Sequence, residues 1–146
     1  NIKLLYKKNE NKSIVVFADY YRIYQVIKNL VTNSIKYSDS NSKVLVECEK
    51  RKKIVRIIIK DKGKGIPKND RKRIFERFYR VDKSRSKQRG GTGLGLAIVK
   101  HIIEGHNSKI KLRSKTNIGS EFSFNLKLAK KGKIKKKKIS KILPKI

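Results

Sequence analysis

The chain of 146 residues is about one domain long, and with 37% hydrophobic residues it can bury one modest core but not two. Its 41 Lys and Arg outnumber its 11 Asp and Glu, and the net charge of +30 would attract any polyanion without identifying one. The lone Cys48 and two histidines exclude an internal disulfide and a zinc cage, and no apolar stretch reaches the ~18–20 residues of a membrane span.

The first part of the sequence predicts two strands and one long helix. The alternating segment 2–6 and the β-branched run 13–18 predict strands joined by a polar turn at residues 9–12. Asp19 is a suitable N-cap for a helix that runs to about Tyr37. Residues of one stripe, all apolar except Ser34, recur along it at three- and four-residue spacing, the pattern of an amphipathic helix: Ile23, Val26, Ile27, Leu30, Val31, Ser34 and Ile35.

The middle of the sequence predicts a hairpin followed by a loop. After a turn at residues 38–42, the segments 43–49 and 54–60 have the composition of strands joined by a charged connection. A loop rich in Gly, Lys and Arg begins at Asp61, and a short amphipathic piece interrupts it around residues 74–78.

The last part predicts a second helix and a second hairpin. Residues 94–104 have helical periodicity and end at Gly105. Apolar alternation in 110–112 and 122–128 predicts two strands around a turn at 117–119. Strands with helices on one side imply a two-layer α/β sandwich, in which a mixed, mostly antiparallel sheet packs on helices on one face.

Four polar residues of the first predicted helix share one flank. Asn29, Asn33, Lys36 and Tyr37 span an arc of about 100° beside the apolar stripe. Such a flank borders a cleft and turns its amide oxygens and ammonium toward whatever fills it. Amide oxygens suit Mg²⁺, which takes one or two protein oxygens together with phosphates and water. A solvated helix flank has the same pattern, so this segment alone does not distinguish a binding site from an ordinary exposed surface.

A carboxylate is predicted at the end of a buried strand face. The alternating apolar residues of 55–59 share one face, and Asp61 continues their period of two. Because an unpaired buried charge is costly, this carboxylate needs a donor, which an adenine amino group supplies and a guanine oxygen does not. Gly63 and Gly65 allow the backbone to approach a base closely, although a simple turn is the commoner use of such glycines.

A second Gly-rich segment, residues 90–95, leads directly into the second predicted helix. Its free amides and the positive end of the helix dipole form an anion site. The spacing G-x-G-x-G excludes a Rossmann turn, and no P-loop motif occurs. Basic residues between the two Gly-rich segments have the composition of a lid that clamps polyphosphate: Arg77, Arg80, Lys83, Arg85, Lys87 and Arg89. We expect this lid, residues 64–89, to be disordered without nucleotide.

Together these segments resemble the four sequence boxes of sensor histidine kinases. Residues 29–38 look like the N box, 61–66 like the G1 box, 74–82 like the F box and 91–96 like the G2 box. The boxes occur in the family order and cover most of residues 19–128. The resemblance implies the Bergerat fold, an ATP site and a mobile lid.

At the triphosphate, the resemblance implies that Asn33 coordinates Mg²⁺ and that Asn29 and Lys36 approach the phosphates. Arg80 and Arg85 would reach the terminal phosphate from the lid. The implied catalytic residues are Asn29, Lys36 and Arg80. The second Gly-rich turn would wrap the phosphates through Gly91, Thr92, Gly93, Leu94 and Gly95.

At the nucleoside, the resemblance implies that Asp61 accepts a hydrogen bond from the adenine amino group. Tyr37 would flank the nucleotide, and the turn after Asp61 would contact it through Gly63, Gly65 and Ile66. Ser120 is similar to a position that supports the aspartate through water.

Two departures from the family pattern bear on the reaction. Hydrolytic relatives carry a glutamate base one turn before the metal-binding asparagine, where this chain has Asn29. Without that base, transfer to a separate acceptor is favoured over hydrolysis. The helical hairpin that carries the acceptor histidine is missing, and we interpret His101 and His106 as structural or surface residues.

The resemblance therefore predicts that residues 1–128 are the ATP-binding catalytic domain of a bacterial two-component sensor histidine kinase that uses ATP and Mg²⁺. Residues 129–146 are interpreted as a Lys-rich, disordered tail. The implied partners are the histidine-bearing dimerisation domain of the same protein, through which it forms a homodimer, and a response regulator. No specific nucleic acid is expected. Because the chain opens on Asn1 and not on Met, we interpret it as a piece of a longer protein. The resemblance implies that it is the cytoplasmic domain of a membrane-anchored kinase.

Three alternatives remain open from the sequence. A serine kinase of the anti-sigma-factor type shares the Asn and Gly boxes, although residues 75–85 favour the histidine kinase. The basic surface could instead serve a nucleic-acid-binding module, which a salt titration against nonspecific DNA would test. A nucleotide-binding domain without a catalytic partner would act only in interaction.

Overall fold

The structure is a computed structural model that describes residues 2–8, 14–81 and 91–129. The strands are β1 Lys3–Lys8, β2 Val16–Phe17, β3 Lys43–Arg51, β4 Ile54–Asp61, β5 Lys111–Lys115 and β6 Gly119–Leu128. The helices are α1 Tyr20–Tyr37 and α2 Gly95–Gly105, with a single 3-10 turn at Arg73–Phe75 between them in the described part of the chain.

The strands form one sheet in the order β1-β3-β4-β6, and both β2 and β5 pair with the far side of β6. Every pair is antiparallel except β1 with β3, which is parallel. The two predicted hairpins, β3 with β4 and β5 with β6, are confirmed. The mixed, mostly antiparallel sheet is therefore the one expected from the sequence.

The first two predicted strands do not pair with each other, so the expected link through one polar turn is wrong as a hairpin. Strand β1 lies at one edge of the sheet beside β3, whereas β2 lies at the opposite edge beside β6. Strand β2 is also shorter than the predicted run 13–18. Alternation identifies a strand but not its partner, and residues 9–13 lie outside the described part of the chain.

Both helices cover one face of the sheet and form a single core with it. That face carries the alternating apolar residues of β4 and β6, all of them buried: Val55, Ile57, Ile59, Phe122, Phe124 and Leu126. The helices contribute the other side of the core: Ile23, Val26 and Leu30 from α1, with Val99, Ile102 and Ile103 from α2. The two-layer sandwich is thus confirmed, and its helices are held by apolar burial.

The two helices lie antiparallel, which brings the end of α1 to the start of α2. Asp19 caps α1 by accepting a hydrogen bond from the backbone N–H of Arg22 at 3.0 Å, as predicted. The backbone N–H of Asp19 donates to Nε2 of His106, just after α2, at 3.1 Å. At the other end, Asn29 Nδ2 donates to the backbone oxygen of Gly95 at 3.3 Å. Helix α2 begins one residue later than predicted, at Gly95.

The outer face of the sheet carries a network of ion pairs. Glu47 pairs with Lys7 at 3.9 Å and with Lys60 at 3.3 Å. Glu121 joins the same network through Lys60 at 3.3 Å and Arg56 at 3.2 Å. Desolvation lowers the pKa of Lys60, but the two carboxylates outweigh it and raise that pKa above its ordinary value.

We expect replacement of Glu47 by Gln to lower the free energy of unfolding by about 0.5–1 kcal/mol, since it removes two ion pairs from a half-buried carboxylate. The loss should shrink in high salt because part of the attraction is screened. Urea denaturation at low and high ionic strength measures both. Glu104→Gln, on the exposed face of α2, is the matched control, and an equal loss in the two variants would contradict this assignment.

The expected disorder of the lid is wrong for its first part, residues 64–81, which are packed on the core. The side chain of Ile74 is buried and the ring of Phe75 meets Phe122 edge to face. Tyr79 donates its hydroxyl proton to Asp70 Oδ1 at 2.6 Å, and this hydrogen bond raises the pKa of the phenol. Glycine and positive charge predicted disorder, whereas the apolar residues of the predicted amphipathic piece pack this segment on the core. The second part of the predicted lid, residues 82–89, lies outside the described residues, as does the tail from residue 130.

Within the described residues, no helix combines the length and the apolar character that crossing a bilayer requires.

Candidate functional site

The predicted site residues that the structure describes meet at one end of the helix pair. The end of α1, the start of α2, the end of β4 and the start of β6 all lie there, because α1 and α2 are antiparallel and Asp61 of β4 pairs with Ser120 of β6. The segments that the sequence places far apart therefore surround one location.

The carboxylate of Asp61 is held by three donors. Oδ1 accepts from the backbone N–H groups of Gly63 at 3.0 Å and Ser120 at 3.1 Å. Oδ2 accepts from the hydroxyl of Ser34 at 3.2 Å. A carboxylate oxygen has two lone pairs. Oδ1 therefore has both engaged, and Oδ2 keeps one for a further donor.

Ser120 supports Asp61 directly through its backbone, and no water is needed for that contact. Its hydroxyl lies 3.0 Å from the hydroxyl of Ser114. Ser114 in turn accepts from the backbone N–H of Ile66 at 2.8 Å and donates to the oxygen of Gly119 at 3.0 Å. This chain of contacts ties the turn after β4 to the β5–β6 hairpin, so the surroundings of Asp61 are fixed.

The polar flank of α1 lies against the start of α2. A Cβ on Gly95 would be 3.9 Å from Cγ of Asn29 and 4.0 Å from Nδ2 of Asn33, so both amides border this turn. A Cβ on Gly91 would be 3.0 Å from Nζ of Lys36, which places the ammonium beside the Gly-rich turn. These two amides and this ammonium therefore lie beside the second Gly-rich segment.

Tyr37 closes the end of α1 beside the turn after β4. Its backbone oxygen accepts a hydrogen bond from the backbone N–H of Lys64 at 3.3 Å. A Cβ added to Gly63 would lie 2.2 Å from that same oxygen. Tyr37 is 49% exposed, and its ring centroid lies 5.5 Å from Nζ of Lys36. The ring is thus available to a ligand at this end of the helix.

The Gly-rich turn is hydrogen-bonded to the described part of the predicted lid. Phe78 donates its backbone N–H to the oxygen of Gly93 at 3.1 Å. Arg80 donates from Nη1 to the oxygen of Gly91 at 2.6 Å, so its guanidinium lies at the turn that is predicted to wrap the phosphates. Thr92 is exposed within this turn, and Leu94 occupies the N-cap position of α2.

We expect Gly93→Ala to destabilise this turn. Gly93 has φ of +71°, and an added Cβ would lie within 2.8–3.1 Å of the Phe78 backbone. The left-handed conformation alone costs an Ala about 1–2 kcal/mol, so both the melting temperature and nucleotide affinity should fall. Gly105→Ala is the matched control because nothing lies within 4 Å of its added Cβ. Equal melting temperatures for the two variants would contradict this account.

The remaining predicted residues have more varied positions. Gly65 approaches Lys115, where an added Cβ would be 2.1 Å from the backbone oxygen, and Ile66 is fixed by Ser114. Both therefore shape the turn after β4. Arg85 lies outside the described residues.

Sequence reasoning assigned no role to Ser34 or Ser114. Ser34 lies in the otherwise apolar stripe of α1, and a hydroxyl at such a core position is a signal that it needs a polar partner. Ser114 had none, because its partners come from two separate turns.

His101 and His106 lie at the other end of the helix pair, where a groove of about 620 Å³ also includes Asp19 and Lys127. His106 accepts from the N–H of Asp19 through Nε2, and its Nδ1 lies 2.8 Å from the oxygen of Ile102. The tautomer protonated at Nδ1 satisfies both contacts. His106 thus joins two helix ends, in agreement with the structural role expected for it.

Comparisons with known proteins agree with this geometry. Residues 18–130 match the family model described as histidine kinase-, DNA gyrase B-, and HSP90-like ATPase. The sensor-like histidine kinase SenX3 of Mycolicibacterium smegmatis is 46% identical to this chain over 111 residues, which are 76% of this chain and 29% of that protein. The chain therefore spans less than a third of this relative.

Two solved structures share the fold. The catalytic domain of the histidine kinase ThkA is 33% identical with a TM-score of 0.73, over 86% of this chain and 78% of that one. Full-length ShkA, in complex with AMPPNP, is 27% identical with a TM-score of 0.76, over 88% of this chain and 26% of that one. The serine-kinase and nucleic-acid-binding alternatives receive no support from these comparisons.

Proposed function

Because the chain belongs to the family of histidine kinase-, DNA gyrase B- and HSP90-like ATPases, we propose that it binds Mg-ATP and presents the γ-phosphate to a histidine on a separate dimerisation domain. The observation that supports this most is the meeting of an adenine-selecting carboxylate, Asp61, with the amide and ammonium flank of α1 at one end of the helix pair.

In this proposal Asp61 reads the base. Its Oδ2 has one lone pair left for a donor, and the 6-amino group of adenine is such a donor, whereas guanine offers an oxygen at that position. Two backbone N–H groups hold Oδ1 in place before the nucleotide arrives. Tyr37 flanks the nucleotide with its exposed ring.

At the other end of the site, this chain's residues neutralise and orient the triphosphate. Lys36 supplies an ammonium beside Gly91, and the first amides of α2 have no intrahelical partner and favour an anion. Arg80 lies at the same turn and is suited to contact the terminal phosphate. These are positioning and charge effects, which phosphoryl transfer requires above all.

The residues present fit Mg²⁺ held mainly by its substrate. Among the described residues no cluster of three or more His, Cys, Asp and Glu side chains could hold a metal alone. The amides of Asn29 and Asn33 are instead neutral oxygen donors beside the start of α2, which suits a cation that keeps phosphate and water ligands. Asn33 would hold Mg²⁺, which supplies charge neutralisation at the phosphates when bound. Asn29 engages Gly95 through Nδ2.

The proposed acceptor is a protein histidine and not water. Asn29 lies one helical turn before Asn33, and an amide cannot remove a proton from water as a carboxylate would. The acceptor histidine, the dimer and a response regulator partner belong to the longer protein that we propose this domain to be part of. Anchoring of that protein in a membrane is part of the same proposal.

Incubation with γ-labelled ATP and a separately produced histidine-bearing hairpin domain of a related kinase tests the proposal. Label should move to the hairpin in an acid-labile form, as expected of a phosphorus–nitrogen bond, and should require Mg²⁺. Acid-stable label on a serine, or release of free phosphate without labelled hairpin, would overturn it. A hairpin with the histidine replaced by alanine is the control.

A further inference from the structure

We propose that Ser34 is a positioning residue for nucleotide selection, acting through the acceptor oxygen of Asp61. The inference rests on the proposed function and adds to it a side chain that shares Oδ2 with the base.

Ser34 occupies a core position of α1 but is polar. The other buried residues of this helix are apolar, Ile23, Val26 and Leu30, and Ser34 follows them in the same stripe with 2% exposure. A buried hydroxyl without a partner is costly, and that of Ser34 donates to Asp61 Oδ2 at 3.2 Å. An alanine would fill the same core position without this cost, so packing alone does not explain the serine.

The direction of the hydrogen bond follows from the acceptor. An ionised carboxylate only accepts, so the single proton of Ser34 points at Oδ2. Oδ1 is saturated by Gly63 and Ser120. The lone pair left on Oδ2 is then the site that remains for an adenine amino group, and Ser34 fixes the orientation of the oxygen that carries it.

Without the hydroxyl of Ser34, Asp61 would keep its two backbone donors on Oδ1. Its Oδ2 would lose the side-chain donor that the described residues provide. The carboxylate plane could then rotate about these two contacts, and the free lone pair of Oδ2 would no longer point toward the adenine amino group. The loss should therefore affect ligands with a 6-amino group and spare ligands that lack one.

The test compares Ser34→Ala with the unaltered chain in competition binding of ATP and of purine riboside triphosphate, which lacks the 6-amino group. We expect Ser34→Ala to weaken ATP about five- to tenfold and purine riboside triphosphate less than twofold. Equal weakening of both would mean a merely structural role, and no change in either would mean no role; each outcome overturns the proposal.

Ser123→Ala is the matched control. Ser123 is also 2% exposed and accepts a hydrogen bond from Arg56 at 3.1 Å, but it lies on the outer face of the sheet. This variant should leave both nucleotide affinities unchanged. Thermal melting without nucleotide shows whether either variant is unfolded. Should Ser34→Ala not fold, Ser34→Cys replaces it, because the thiol is a weak donor of similar size. We expect Ser34→Cys to weaken ATP binding relative to purine riboside triphosphate binding by about two- to fivefold, compared with the unaltered chain.

This experiment separates the inference from the proposed function. An unaltered chain that binds neither nucleotide would overturn the proposed function itself, and this inference with it. An unaltered chain that binds ATP tightly, with an unchanged affinity ratio in Ser34→Ala, would overturn only the role of Ser34.

Discussion

Replacement of Asp61 by Asn is expected to weaken ATP binding by about 10- to 100-fold and to remove the preference for ATP over GTP. Oδ1 of Asp61 accepts from two backbone N–H groups, so the asparagine must place its oxygen there and its NH₂ group in the position of Oδ2. That NH₂ would then meet the adenine amino group, donor against donor. The magnitude is that of losing a hydrogen bond to a charged group and leaving a donor unpaired.

Asp39→Asn is the control for this substitution, because Asp39 is an exposed carboxylate just after α1 and the change in charge is the same. Calorimetric titration with Mg-ATP and Mg-GTP measures both affinities. If Asp61→Asn bound ATP as tightly as Asp39→Asn did, Asp61 would not be the base-reading group.

The second large effect is expected from Asn33→Ala, which should lower the rate of phosphate transfer to a histidine-bearing hairpin by about 100-fold or more. Its amide borders the start of α2, where Lys36 and the helix amides would gather the phosphates. Loss of the oxygen ligand that Asn33 is proposed to supply would misplace the cation that neutralises the phosphates. The substitution should also remove the gain in ATP affinity that Mg²⁺ provides over EDTA.

Asn125→Ala is the matched control, since Asn125 lies on β6 opposite Arg56, away from the site. Its transfer rate and its response to Mg²⁺ should equal those of the unaltered chain. A transfer rate for Asn33→Ala within a few-fold of that control would contradict a role of Asn33 at the metal.

The sequence predicted the elements that define the site because their signals are local. The three- and four-residue spacing of Ile23, Val26 and Leu30 identified the buried face of α1, and hence the flank that carries Asn29 and Asn33. The period of two through β4 placed Asp61 at the end of the buried face. These periodicities follow from backbone geometry and need no partner to be recognised.

The features that the sequence did not predict depend on contacts between distant segments. Strand β1 pairs in parallel with β3 rather than with β2, which alternation cannot indicate. Residues 64–81 are fixed by packing of Ile74 and by hydrogen bonds such as that from Tyr79 to Asp70. Their Gly and Lys content had predicted disorder instead. The hydroxyl of Ser34 has a partner only because the fold places Asp61, at the end of β4, within hydrogen-bond distance of it.

Titration calorimetry of the unaltered chain with Mg-ATP and then Mg-GTP tests the proposed selection of adenine by Asp61 most directly. We predict saturable heat with ATP and an affinity for GTP at least about tenfold lower, since the carboxylate pairs with an amino group and repels a carbonyl. Absence of heat with ATP, or equal affinities for the two nucleotides, would contradict the account.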